Sequence, residues 1–151
     1  MTDRQDGSPT TSAGERRPRI VLADDHPSVL AAFGRLLQHA CDVVASVSSG
    51  TEAIEAVIAL KPDVLVVDLM MPDLDGLEVC RRITQLIPET DVVIVTAFDD
   101  AQVRKIALRD GAKAFVPKSR ASDTLEDTVK KIFSGKQGAT KPLKATDVRR
   151  G

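Results

Sequence analysis

Residues 64–76 read VLVVDLMMPDLDG, and this stretch decides the fold. Val64, Leu65, Val66 and Val67 form an unbroken apolar run that ends on Asp68. β-Branched side chains favour strands, and a run without polar alternation suits a strand buried on both faces, as in a parallel sheet covered by helices. In open sheets of that kind, chemistry gathers in the crevice beyond the carboxyl ends of the strands. Asp68 stands at such an end, followed by a loop carrying the backbone-shaping residues Pro72 and Gly76. A carboxylate held there is a candidate nucleophile or metal ligand. The alternative is an Asp that opens an Asx turn or caps the next helix.

Outward from this stretch the same pattern repeats. Residues 19–24, RIVLAD, form another apolar run ending in acid, and Asp25, His26 and Pro27 follow. Pro27 suits the first turn of a helix, which Val29, Leu30, Phe33, Leu36 and Leu37 extend at helical spacing to about His39. Residues 42–47 predict a weaker strand. A helix runs from Gly50 or Thr51 to about Leu60, with Thr51 as its cap and Lys61-Pro62 as its stop. Residues 77–87 predict a helix with Arg81 and Arg82 facing water. Residues 91–96, DVVIVT, are a fully apolar strand. Asp99 is expected to cap a helix that Gly111 ends. Residues 113–117 predict a fifth strand, followed by Lys118. Residues 121–134 predict a last helix, capped by Ser122, with Leu125, Val129, Ile132 and Phe133 inward. The polar segment 1–18 reads as a disordered arm, 19–134 as one folded domain and 135–151 as a basic flexible tail.

Strict strand–helix alternation implies a flavodoxin-like (βα)5 fold, a doubly wound parallel sheet of strand order 2-1-3-4-5. That order makes the first and third strands neighbours, so Asp24 and Asp25 converge on Asp68. Thr96 and Lys118 end up at the same edge. Clustered carboxylates repel one another unless a cation intervenes, and hard oxygen ligands suit Mg2+. No His or Cys cluster offers a softer metal a site. With a divalent ion bound, Asp68 is a candidate nucleophile towards a phosphoryl donor, Lys118 a partner for the transferred group and Thr96 a hydrogen-bond donor to it. Taken singly, each residue has a plain alternative as cap, strand residue or surface charge. Their joint position at four strand ends of one edge favours the chemistry.

The 151 residues suit one domain, and 42% hydrophobic with 28% charged residues is ordinary for a globular protein. No stretch has the length of a membrane-spanning helix and the N-terminus is not a signal peptide, so a cytoplasmic protein is expected. Cys41 and Cys80 lie in apolar segments without CxxC spacing and read as core residues. The net charge of −1 divides into an acidic body and a basic tail. An acidic body argues against nucleic-acid binding by the folded domain.

The segments LADDHPSVL, VVDLMMPDLDG, VVIVTAF and AFVPKS resemble the receiver domain of bacterial two-component response regulators, and DDHP resembles the NarL/FixJ class. The resemblance covers about residues 19–134. It implies that Asp68 accepts a phosphoryl group from a sensor histidine kinase. It further implies that Asp25, Asp68 and the Met70 carbonyl ligate Mg2+, with Asp24 acting through water. Thr96 and Lys118 match the switch and phosphate-pairing positions, and Phe115 the aromatic switch position; Phe115 also reads as a plain core filler. Phosphorylation is then expected to draw Thr96 in, let Phe115 fill the space, and alter the face of helix four, strand five and helix five for a downstream partner or for homodimerisation. Met70 and Phe98, apolar at positions that flank the attacking water's route, imply slow loss of the phosphoryl group.

Such a protein is a phosphoacceptor, not an enzyme. Its opening Met1 and the few residues after Ser134 lead us to expect a stand-alone regulator. The alternative is a receiver from a longer helix-turn-helix transcription regulator. An aspartyl-phosphate phosphatase would place a second Asp two residues after the nucleophile, where this chain has Met70. A receiver working only as an interaction module fits poorly with the intact acidic, Thr and Lys set.

Overall fold

Every residue of Val64–Asp68, strand β3, is buried at the centre of a five-stranded parallel sheet. The structure is a computed structural model and describes residues 16–139; the arm and tail readings for residues 1–15 and 140–151 lie outside the described residues. In chain order the elements are β1 (Arg19–Ala23), α1 (Pro27–Leu37), β2 (Asp42–Val47), α2 (Gly50–Leu60), β3, α3 (Gly76–Leu86), β4 (Asp91–Thr96), α4 (Ala101–Arg109), β5 (Ala114–Pro117) and α5 (Ala121–Ala139). A 3₁₀ turn, Lys118–Arg120, joins β5 to α5. The sheet order is β2-β1-β3-β4-β5, the flavodoxin-like arrangement expected from the alternation.

Side chains alternate across the sheet into two cores, which is why β3 needs no polar position. Ile20, Leu22, Val64, Val66, Val93 and Val95 pack with Leu37 of α1 and Leu125 and Val129 of α5. On the other face Val21, Leu65, Val67 and Ile94 meet Ala53 and Val57 of α2 and Val79 and Ile83 of α3. Each fully buried Val, Leu or Ile contributes about 1.5–3 kcal/mol, so these strands hold their ends rigidly. The register pairs Ala23 with Val67, Asp68 with Val95 and Thr96 with Pro117. The carboxyl ends of four strands therefore line one edge.

Several boundaries depart from the sequence reading. Ser49, not Thr51, caps α2: its side chain accepts the Glu52 N–H, while the Thr51 N–H is taken by Asp73 Oδ2 at 2.9 Å. Asp100, not Asp99, caps α4, accepting the N–H groups of Gln102 and Val103. Ser122 caps nothing, because the 3₁₀ turn feeds straight into α5. Nor does α5 stop before Gly135. It continues to Ala139, into the segment assigned above to a tail, and Lys136 Nζ reaches the Asp91 carboxylate at 3.6 Å and donates to the Glu89 carbonyl. A glycine costs a helix only about 1 kcal/mol, which this anchoring offsets. Gly111 does turn the chain after α4, at φ 116°; a Cβ there would meet Thr84 Oγ1 at 2.4 Å.

The last residues assigned to the arm belong to the folded body. Arg16 forks onto Asp63 at 2.8 and 3.0 Å and lies 5.0 Å from the centroid of the Phe133 ring; Arg17 donates to the carbonyls of Gln38 and Cys41. Burial pushes the Asp63 carboxyl up, but the Arg16 fork, the Arg19 N–H and Lys136 outweigh it and hold the group below the usual carboxylate range. A depressed folded value contributes stability above the unfolded value of about 4, which is lost as the pH falls through the folded one. Asp63→Asn is therefore expected to destabilise the protein at neutral pH by about 1–3 kcal/mol and to flatten the acid limb of its stability. Urea titrations at about pH 7 and about pH 3.5 check this. A variant whose loss is equal at both pH values would rule it out.

Candidate functional site

The apolar strands deliver carboxylates to the edge just described. Asp24, directly after β1, is 2% exposed, and Asp68, the last residue of β3, is 4% exposed. Asp25 is half-buried beside them. Ligand atoms of Asp24, Asp25, His26 and Asp68 all lie within 4.8 Å of one another. Lys118, in the turn after β5, places Nζ 2.9 Å from Asp24 Oδ2 and 3.4 Å from Asp68 Oδ2. The contact with Asp24 is an ion pair. Among the described residues, Asp24 Oδ2 and Asp25 Oδ1 are buried without a hydrogen-bond donor. Buried carboxylate oxygens rarely stay unpartnered. Hard, anionic and converging, they fit a small divalent cation.

Burial raises the Asp68 carboxyl above its ordinary value, Asp24 raises it further, and Lys118 with the Met70 N–H pulls it back. For Lys118, burial lowers the ammonium's pKa, but Asp24 and Asp68 together outweigh that and the group is raised. Lys118 thus stays charged and serves as the counter-cation of the cluster. Sequence reasoning missed His26, which donates its backbone N–H to Asp24 Oδ1 at 2.9 Å and sets Nδ1 3.1 Å from Asp24 Oδ1 and 3.0 Å from Asp25 Oδ1. A His directly after two acids at a strand end was the available signal.

The loop after β3 is braced from two sides. Asp73 accepts the N–H groups of Gly50 and Thr51 at 2.8 and 2.9 Å, closing two orphan donors at the start of α2. The Thr51 hydroxyl, together with these backbone bonds, holds the Asp73 carboxyl well below the usual carboxylate range. Gly76 packs on the backbone beneath the cluster: a Cβ there would lie 2.6 Å from the Asp68 carbonyl oxygen. Both residues are in the PDLDG sequence, but their partners are distant or backbone.

Thr96, at the end of β4, is wholly buried, and its Oγ1 accepts the Phe98 N–H at 2.9 Å. Met70 and Phe98 are each 55% exposed. Phe115 is buried already in this state, with the Arg104 guanidinium 5.0 Å from its centroid. Its ring fills core beneath α4. The two cysteines are buried; burial pushes the Cys41 thiol up to about 11 and raises Cys80, so neither is a thiolate at neutral pH.

The chain is similar to known proteins. The oxygen regulatory protein NreC of Staphylococcus aureus strain JH9 is 38% identical over 120 residues, which cover 78% of this chain and 55% of that protein. This chain thus spans about half the length of the curated relative. The signal receiver domain of the response regulator NarL from Mycobacterium tuberculosis superposes with a TM-score of 0.72 at 29% identity, covering 82% of this chain and 99% of that one. A LuxR-family two-component response regulator from Aurantimonas sp. SI85-9A1 gives 0.76 at 30% identity, over 80% and 87%. The family model for the response regulator receiver domain matches residues 20–130, and this chain belongs to that family.

Proposed function

We propose that this receiver takes a phosphoryl group onto Asp68 from the phosphohistidine of a sensor histidine kinase and passes the signal on through the face of α4, β5 and α5. The observation that carries the reading is the pairing of a buried strand-end carboxylate with a half-buried ammonium, beside two buried carboxylate oxygens that accept no hydrogen bond. An Asp68 oxygen bonds to phosphorus while the donor's P–N bond breaks and the nitrogen keeps the electron pair. Lys118 is placed to pair with the transferred group, and the Thr96 hydroxyl to donate to it once it leaves the Phe98 N–H. Asp25, Asp68 and the Met70 carbonyl, with Asp24 behind them, would hold Mg2+, which would supply charge neutralisation at the phosphoryl oxygens. The chain is a phosphoacceptor that at most promotes its own phosphorylation and dephosphorylation. No described helix is long and apolar enough to cross a membrane, and a cytoplasmic site of action goes with this donor.

Incubation with a small phosphodonor is expected to add one phosphoryl group only when Mg2+ is present, and none to Asp68→Asn, as read by intact mass. An adduct that survives in Asp68→Asn would overturn the assignment. Met70 and Phe98 offer no polar side chain to orient water at the mouth of the site, so the adduct is expected to hydrolyse slowly and Met70→Asn to shorten its life. A wild-type half-life of seconds would reject that account. A second reading, a receiver joined to a helix-turn-helix output domain, is favoured by the length comparison with NreC, of which this chain matches 55%. The reading frame beyond Gly151 decides it.

A further inference from the structure

We propose that Arg104 is a positioning residue that latches Phe115 beneath α4 and ties this latch to the loop that Thr96 holds. The inference rests on the phosphoryl-switch reading above and names a regulator of that same site.

Arg104 makes three contacts with two residues, Phe115 of β5 and Asp99 of the loop before α4. Its guanidinium lies over the Phe115 ring at 5.0 Å, Nη1 donates to the Phe115 carbonyl at 3.4 Å, and Nη2 pairs with Asp99 Oδ1 at 3.2 Å. Asp99 directly follows Phe98, whose N–H is taken by Thr96 Oγ1 at 2.9 Å. A continuous series of contacts therefore runs from Thr96 through residues 98 and 99 to Arg104 and the ring. An aliphatic residue in place of Arg104 would cover the ring but make neither polar bond; the planar, multiply donating guanidinium does both. A groove of about 440 Å³ between α4, β5 and α5 is lined by Arg104, Phe115, Leu108, Pro117 and Arg120.

The direction of the effect follows from the bonds. While Arg104 holds Asp99, residues 98 and 99 stay where Thr96 Oγ1 can accept the Phe98 N–H. When the Thr96 hydroxyl turns to a phosphoryl oxygen, that bond is lost, Asp99 shifts with its loop, and Arg104 loses the carboxylate that orients it. Arg104 therefore opposes switching, and weakening it raises the switched population in the unphosphorylated protein.

The test uses the chain labelled with 19F-phenylalanine, whose four Phe signals are assigned by single Phe→Leu changes. In wild type, beryllofluoride with Mg2+ is expected to move the Phe115 signal. In unphosphorylated Arg104→Ala the signal is expected to lie part-way along that shift, for a rise of about three- to tenfold in the switched-to-unswitched ratio. Arg104→Lys, which keeps charge but not the stack, is expected to fall between, and Asp99→Asn to give a smaller displacement in the same sense. A Phe115 signal in Arg104→Ala that stays at the wild-type position, with an unchanged beryllofluoride midpoint, would overturn the latch and leave the receiver reading intact. A wild-type signal that ignores beryllofluoride would overturn the Phe115 switch, and with it the latch.

Discussion

Lys118→Ala is expected to cost the metal-free protein about 3 kcal/mol and to lose most of that penalty when Mg2+ is added. Lys118 Nζ is the cation between Asp24 Oδ2 and Asp68 Oδ2, at 2.9 and 3.4 Å. Removing one partner of a buried pair leaves the other charge uncompensated, which typically costs 3–5 kcal/mol; the side chain's 21% exposure puts this case at the low end. The penalty also has a pH signature. Without the ammonium, the Asp68 carboxyl, already raised by burial and by Asp24, rises further. A raised folded value leaves stability intact below the unfolded value and removes it as the pH climbs through the folded one. The gap between variant and wild type should therefore narrow towards acid. Denaturant titrations in chelator and in Mg2+, at several pH values, read both effects, with Lys118→Met as the variant that keeps the apolar stem. Equal losses with and without Mg2+ would sink the counter-cation account and leave a packing defect.

The second large effect is expected at Gly76. A Cβ there would sit 2.6 Å from the Asp68 carbonyl oxygen and 2.9 Å from Leu69 Cα. Backbone cannot swing aside as a side chain does, so Gly76→Ala should destabilise the fold by about 1–3 kcal/mol, the usual cost of overpacking. The atoms that give way carry Asp68, so uptake of a phosphoryl group should slow more than the stability loss explains. Gly135 is the control. Nothing lies within 4 Å of a Cβ built there, and it sits inside α5. Gly135→Ala should stabilise by about 0.5–1 kcal/mol and leave phosphorylation unchanged. If the two alanine variants behave alike, close backbone approach is not what Gly76 serves.

The sequence by itself determined the architecture, because burial on both faces writes apolar runs that only a helix-covered parallel sheet satisfies. Residues 64–67 and 91–96, with helical spacing between them, place Asp24, Asp68, Thr96 and Lys118 at strand ends or just after them. Right-handed crossovers then leave few ways to arrange the strands, so the shared edge was legible before any coordinate. The receiver motifs were legible for the same reason.

Only the tertiary structure decided the contacts that tune the site. Choosing Ser49 over Thr51 or Asp100 over Asp99 as a cap turns on the dihedral angles of one boundary residue, which composition does not encode. The Asp73 clamp on α2, the Arg16 fork on Asp63 and the Lys136 anchor join residues far apart in the chain, so no local pattern announces them. Charged residues tolerate many surface positions, and their sequence signal is weak. Arg104 shows this most clearly: on a helix wheel it is one more solvent-facing cation, and only the packing of α4 on β5 lays it over Phe115. Apolar periodicity therefore specified where the strands end. Long-range polar geometry, which depends on how the helices finally seat, specified what surrounds those ends.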